Sequence, residues 1–334
     1  MLHFATTLVL AFLFVSNLGL ARVWIMGQNY VGYLDKKNEW HSIASVIPTS
    51  WGLDSSHCRV WLAEEAKSTL MYTAGGPLQK TGSAKKILSD VEKGIFLTQS
   101  YDRPEVQIHN QEGTITQTVQ APWVIYSERI VRNHDQSWSL NFDETSQKLW
   151  LSHLDPNLLE TSTTLLSQHT TVWPTLRMVY ESLNDILWLG WTAATTSKPY
   201  SPRIQRRSRQ GELQSDKIFA DKGVFFDMCA NEDKSLLISR DIPSDSGFTV
   251  PVYSFLENID ASGKVQTVYS AEVNWLIRSI ACQKDRVYMI QQSLFGSGGN
   301  RLVEFDLIYG KESVLTLLPG QAWKIYSCEY NPGQ

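Results

Sequence analysis

Short apolar runs with an aromatic at the centre recur through the whole chain, separated by polar turns. They read Val23-Trp24-Ile25, Val60-Trp61-Leu62, Ile95-Phe96-Leu97, Leu149-Trp150-Leu151, Leu187-Trp188-Leu189, Leu236-Leu237-Ile238 and Val287-Tyr288-Met289. Six of the seven carry an aromatic in the middle. Runs this short, bounded by turn residues and rich in β-formers, predict buried strands. Between them the pattern predicts hairpins: residues 30–34 and 40–45 flank Asp35-Lys36-Lys37-Asn38. Equivalent turns stand at Gln111-Glu112-Gly113, Arg209-Gln210-Gly211, Ala261-Ser262-Gly263 and Tyr309-Gly310-Lys311, where Gly supplies the positive φ of a tight turn. The unit around residues 161–164 lacks that Gly. No stretch keeps helical apolar spacing for more than about two turns.

A further segment precedes each motif, such as residues 224–228 and 275–281, so the repeating unit is four strands in about 45 residues. Four-stranded units repeated radially predict an all-β fold, a single seven-bladed β-propeller over residues 22–334. Six or eight blades also fit, because residues 121–136 read as an irregular insertion. The last segment, residues 323–330, matches a first strand with no successors, and Val23 opens a second strand with no predecessor. Joined, they complete one blade and leave no free sheet edge. Arg301-Leu302-Val303-Glu304-Phe305-Asp306 followed by Gly310-Lys311 resembles the outer hairpins of extracellular and periplasmic propellers of the NHL, YWTD and gluconolactonase-like group. The resemblance implies architecture alone, since such folds host both enzymes and binding proteins.

Residues 1–21 read as a signal peptide: an apolar core over residues 7–15, then Gly19-Leu20-Ala21 as the cleavage site. The expected location is therefore secreted or periplasmic, with no membrane span in the mature chain. Four widely spaced cysteines, Cys58, Cys229, Cys282 and Cys328, are free or form two disulfides in one of three pairings. Neighbouring blades would place Cys229 near Cys282 and Cys58 near Cys328. A net charge of −4 with no long run of one sign excludes broad nucleic-acid binding. The basic stretch Arg203, Arg206, Arg207 and Arg209 reads as a charged outer-edge strand.

Twelve Trp in 334 residues is a surplus. Trp51, Trp138, Trp173, Trp275 and Trp323, with Phe225, fall at or near the start of predicted first strands, which face the axial funnel. Gln99, Trp191 and Gln291 fall with Glu64, His153 and Arg240 near the ends of second strands, on the same face. Apolar walls with sparse polar groups suit a small-molecule or glycan ligand. Two functions stay open: a binding protein holding a glycan or an aromatic metabolite, and an enzyme using His153 as base, Glu64 as its acid partner and Arg240 as anion stabiliser. Long loops at residues 192–201, 241–251 and 291–300 would form a wall or lid on one side, the last made mobile by Gly296-Ser297-Gly298-Gly299. No cofactor is expected. A calcium ion would have Glu64, Asp143 and Glu181 available, but no calcium-loop spacing is present.

Overall fold

The computed structural model describes residues 21–328 except for short turn and loop segments, of which 195–200 and 244–251 are the longest. Residues 1–20 of the leader, residues 195–200, 244–251 and 296–298 of the long loops, and Trp173 lie outside the described residues. No helix among the described residues is long and apolar enough to cross a membrane.

Among the described residues, twenty-nine strands form seven sheets. Blade 1 takes its inner strand, Ala322–Ser327, from the end of the chain and its other three, Ala21–Gly27, Tyr30–Asp35 and Trp40–Ala44, from the start. Ile25 pairs with Ile325 in this closure. The inner strands of blades 2 to 7 are Pro48–Asp54, Ala84–Ile87, Ser127–Asn133, Arg177–Glu181, Val224–Ala230 and Trp275–Gln283. Each pairs antiparallel with the strand that follows it. A short strand, Thr171–Val172, also joins blade 5.

Seven apolar clusters hold the ring together, one at each blade interface. The recurring aromatics contribute to four of them. Trp24, Trp61, Phe96 and Tyr288 are fully buried and Trp188 nearly so. Trp61 stacks on Phe96 across blades 2 and 3 with ring centroids 4.5 Å apart. Large rings fill the widening wedge between twisted sheets, and each contributes a few kcal/mol of burial (~25 cal/mol per Å²).

Blade 4 departs from the expected register. Its second strand is Gln136–Asp143, centred on Trp138, and Leu149-Trp150-Leu151 lies in the third strand, Lys148–Leu154. The supposed insertion at 121–136 holds a 3-10 turn, Pro122–Tyr126, and the inner strand Ser127–Asn133. The cause is a disguised hairpin turn. In blades 3 and 6 the turn closes on Asn110 or Asp260, whose side-chain oxygen accepts two backbone N–H groups, with Gly113 or Gly263 at φ 81° or 83°. Asp155 accepts the N–H groups of Asn157 and Leu159 in the same way, and Leu158 takes the left-handed conformation at φ 64°. A leucine there is strained by about 1–2 kcal/mol, which its burial against Trp123 and Val124 offsets.

Disulfides join Cys58 to Cys328 and Cys229 to Cys282, with Cα separations of 5.5 and 5.7 Å. The first ties blade 1 to blade 2 beside the chain closure; the second ties the inner strands of blades 6 and 7. The Arg203–Arg209 stretch is not an outer edge: Ser201–Ser208 is the third strand of blade 5, covered by Leu213–Ile218. Arg203 pairs with Asp216, and buried Arg207 donates to Gln205 and the Gly211 carbonyl.

Candidate functional site

The seven inner strands surround an axial cavity of about 540 Å³. Six of them carry a bulge near their start, skipping Thr49, Lys85, Glu128, Phe226, Arg278 and Trp323. An extra residue re-aims the side chain that follows it. Those residues are Ser50, Lys86, Arg129, Asp227, Ser279 and Lys324, and each precedes an apolar residue. Blade 5 has no such bulge in its inner strand, and Arg177, followed by buried Met178, holds the corresponding place.

A hydrogen bond repeats across blades at this level. Ser50 Oγ accepts from Ile87 N at 2.7 Å, Asp227 Oδ2 from Ile280 N at 3.1 Å, and Ser279 Oγ from Ile325 N at 3.2 Å. The ring is therefore part of how blades dock. At blade 6 a carboxylate replaces serine and does more. Asp227, fully buried, also accepts from Lys324 Nζ at 2.6 Å, Arg177 Nε at 3.0 Å and Ser279 Oγ at 2.6 Å.

Around the ring the other cations are matched one to one. Lys86 pairs with Glu128 at 3.0 Å and Arg129 with Asp90 at 2.5 Å. Arg177 and Lys324, in contrast, share Asp227. Burial works to raise the Asp227 carboxyl, but Lys324 and Arg177 outweigh it and hold the group below its ordinary value. Burial lowers the Lys324 ammonium, with Asp227 opposing and Arg177 adding to the shift. For Arg129, burial disfavours the charge and Asp90 overcomes it. Tyr326, beside them, is pushed up by burial.

Among the described residues, the expected indoles are mostly placed away from the cavity wall. Trp51 lines the cavity. Trp138 is fully buried between blades 4 and 5, stacked on Tyr180 and His153, because it is the wedge aromatic of its blade. Trp191 and Phe225 are also buried packing residues. Trp275 lies under the Arg301 guanidinium, 4.0 Å from ring centroid to Cζ. Trp323 is a bulge residue and sits outside the cavity wall.

The polar set is dispersed too. Glu64, His153 and Arg240 stand in blades 2, 4 and 6, and none lines the cavity. His153 meets Thr161, and Arg240 is bound by both oxygens of Glu257 at 2.8 Å. Gln99 is buried in blade 3 opposite Lys86. Gln291 donates to Tyr269 and accepts from Arg301. Glu64, Asp143 and Glu181, the carboxylates considered for calcium, belong to blades 2, 4 and 5. Among described residues, Asp35, Glu39 and His41 do bring three ligand atoms close, but Asp35 there already closes a turn through Lys37 N and Glu39 N. The ring residues were missed because the Trp positions served as the marker of strand starts. A repeated polar–apolar pair (Lys86-Ile87, Arg129-Ile130, Arg177-Met178, Asp227-Met228, Ser279-Ile280, Lys324-Ile325) carries the signal.

A second buried carboxyl titrates within reach of mild acid. Asp241 in blade 6 faces Arg278 Nη1 at 3.3 Å, and burial raises its pKa from 3.8 to about 6 despite Arg278 and Ser254. The folded state then binds more protons than the unfolded one between those values, so this group's contribution to stability falls as pH rises through that window. Asp241→Asn should remove a loss of up to ~1.4 kcal/mol per pH unit there. Urea denaturation at successive pH values between 4 and 7 reads this as a wild-type-minus-variant difference. A constant difference would contradict it.

No protein-family model matches the chain, and no curated protein matches it. Solved structures do. Apo AztD from Citrobacter koseri is similar with a TM-score of 0.57 at 11% identity, over 92% of this chain and 98% of that one. Hydrazine synthase from Kuenenia stuttgartiensis gives 0.57 at 8% identity, over 90% and 96%. The β-propeller domain of Cps50 (Swd1) from Myceliophteria thermophila gives 0.52 at 12% identity, over 85% and 90%. At such identities the likeness speaks for architecture, and the chain is a β-propeller.

Proposed function

We propose that this protein binds a small anionic molecule in its axial cavity, as a secreted or periplasmic binding protein. One observation carries the reading: Arg177 and Lys324 share a single carboxylate at the cavity wall, which leaves one of the two cations without a carboxylate of its own. Both cations project from inner strands fixed by blade docking, so the donors are held in place before a ligand arrives. A volume of about 540 Å³ is within the range of small-molecule sites. Trp51 and Tyr326 supply flat apolar wall for the body of the ligand. The disulfides fit an oxidising compartment.

The test is a thermal-shift screen of carboxylates, phosphates and sulfates against their neutral amides or alcohols, with hits titrated by calorimetry. Anions should dominate, and Arg177→Gln and Lys324→Met should each weaken hits about tenfold or more, the worth of a charged hydrogen bond. Affinity should also fall as pH rises through the lowered pKa of Lys324, as that donor loses its charge. A screen without anionic hits, or hits indifferent to both substitutions, would overturn the proposal.

A further inference from the structure

The cavity has a second charged end. Glu181 closes the inner strand of blade 5, four residues beyond Arg177 on the same strand, and both line the cavity. Alternation along a strand puts positions i and i+4 on one face, and four residues of rise separate their Cα atoms by about 13 Å. Glu181 is only 6% exposed. Asn184 donates to its Oε1 at 2.5 Å, while the buried Oε2 accepts no hydrogen bond among the described residues. No Lys or Arg is paired with Glu181 among the described ion pairs, in contrast to Asp90, Glu128 and Asp227. A buried carboxylate oxygen without a donor is unfavourable, so the site is one that a donor on a ligand would relieve.

Between the two ends the wall is largely apolar, formed by Val179, Ala281, Tyr326 and the half-buried Cys229 of the disulfide. The cavity is thus polarised: two cations on one carboxylate at Arg177 and Lys324, an apolar middle, and a buried acceptor at Glu181. We infer, resting on the anion reading above, that the ligand is a linear zwitterion with ends roughly 10–13 Å apart. Its anionic end meets Arg177 and Lys324, and its ammonium end donates to Glu181 Oε2. A free peptide of three or four residues has this charge arrangement and length, since extended chain rises about 3.3 Å per residue.

The probe is a synthetic tripeptide and tetrapeptide mixture in three forms: free, N-acetylated and C-amidated. Retention by the intact protein is measured by equilibrium dialysis and mass spectrometry. Free peptides should be retained about tenfold or more over either capped form. Glu181→Gln should erase the preference for free over acetylated peptides while keeping the preference for free over amidated ones. Arg177→Gln should do the reverse. Unchanged melting temperatures would show that both variants fold. Equal retention of free and acetylated peptides overturns the inference, as does a preference that survives Glu181→Gln. If no peptide is retained while simple monocarboxylates still bind, the zwitterion fails and the anion site stands. If monocarboxylates do not bind either, both fall.

Discussion

Asp227→Ala is expected to unfold with about 3–5 kcal/mol less stability than wild type, because it leaves two cations facing each other without their carboxylate. Asp227 is fully buried and receives Lys324, Arg177, Ser279 Oγ and Ile280 N, so it joins the inner strands of blades 1, 5, 6 and 7. Adding Lys324→Met removes one of the stranded charges, and the double variant should recover about 0.5–3 kcal/mol relative to additivity. The pH dependence has a definite sign. Asp227 titrates below its ordinary value of 3.8, so its contribution is present above that value and is lost as pH falls through the lower folded one. The gap between wild type and Asp227→Ala should therefore narrow in strong acid. A loss under about 1 kcal/mol in urea denaturation at pH 7 would show that this carboxylate is not the hub of the ring.

Replacing Cys58 and Cys328 by alanine should be comparably severe, with a loss of about 5.6 kcal/mol in a chain-entropy account. The bridge closes 270 residues of sequence, whereas Cys229–Cys282 closes 53, for which the same account gives about 4 kcal/mol. The difference in position matters as much as the difference in length. Cys328 directly follows Ala322–Ser327, the strand that pairs with Ala21–Gly27 to complete blade 1. Loss of this bridge should let that strand fray, which amide exchange would register first at Lys324 to Tyr326. Should the blade 6–7 pair prove the costlier one, sealing of the ring would have to come from the apolar clusters at the closure.

Much of this fold was legible because one motif recurs where a wedge must be filled. Trp24, Trp61, Phe96, Trp188 and Tyr288 marked their second strands correctly, and the disulfide neighbours followed from blade adjacency. Blade 4 was displaced by one strand because Asp155 and Leu158 build a glycine turn without glycine. That substitution is tolerated only through packing that a sequence does not display. The site was harder to see. A bulge changes which residue faces the axis by one position, and nothing local in Glu128-Arg129 or Trp323-Lys324 announces where it falls. Trp138 shows the complementary error: the abundance of indoles came from blade packing, so it pointed away from the residues that line the cavity.

Lys324 belongs to the strand that finishes blade 1, while its counter-charge sits in blade 6 and Arg177 in blade 5. During synthesis the ribosome releases those earlier blades first, and Arg177 and Asp227 then face each other as one cation and one anion. Only when the final strand slides into place does Lys324 join them. On the anion-binding proposal, the site gains its last cation only at the end of folding, when the ring closes.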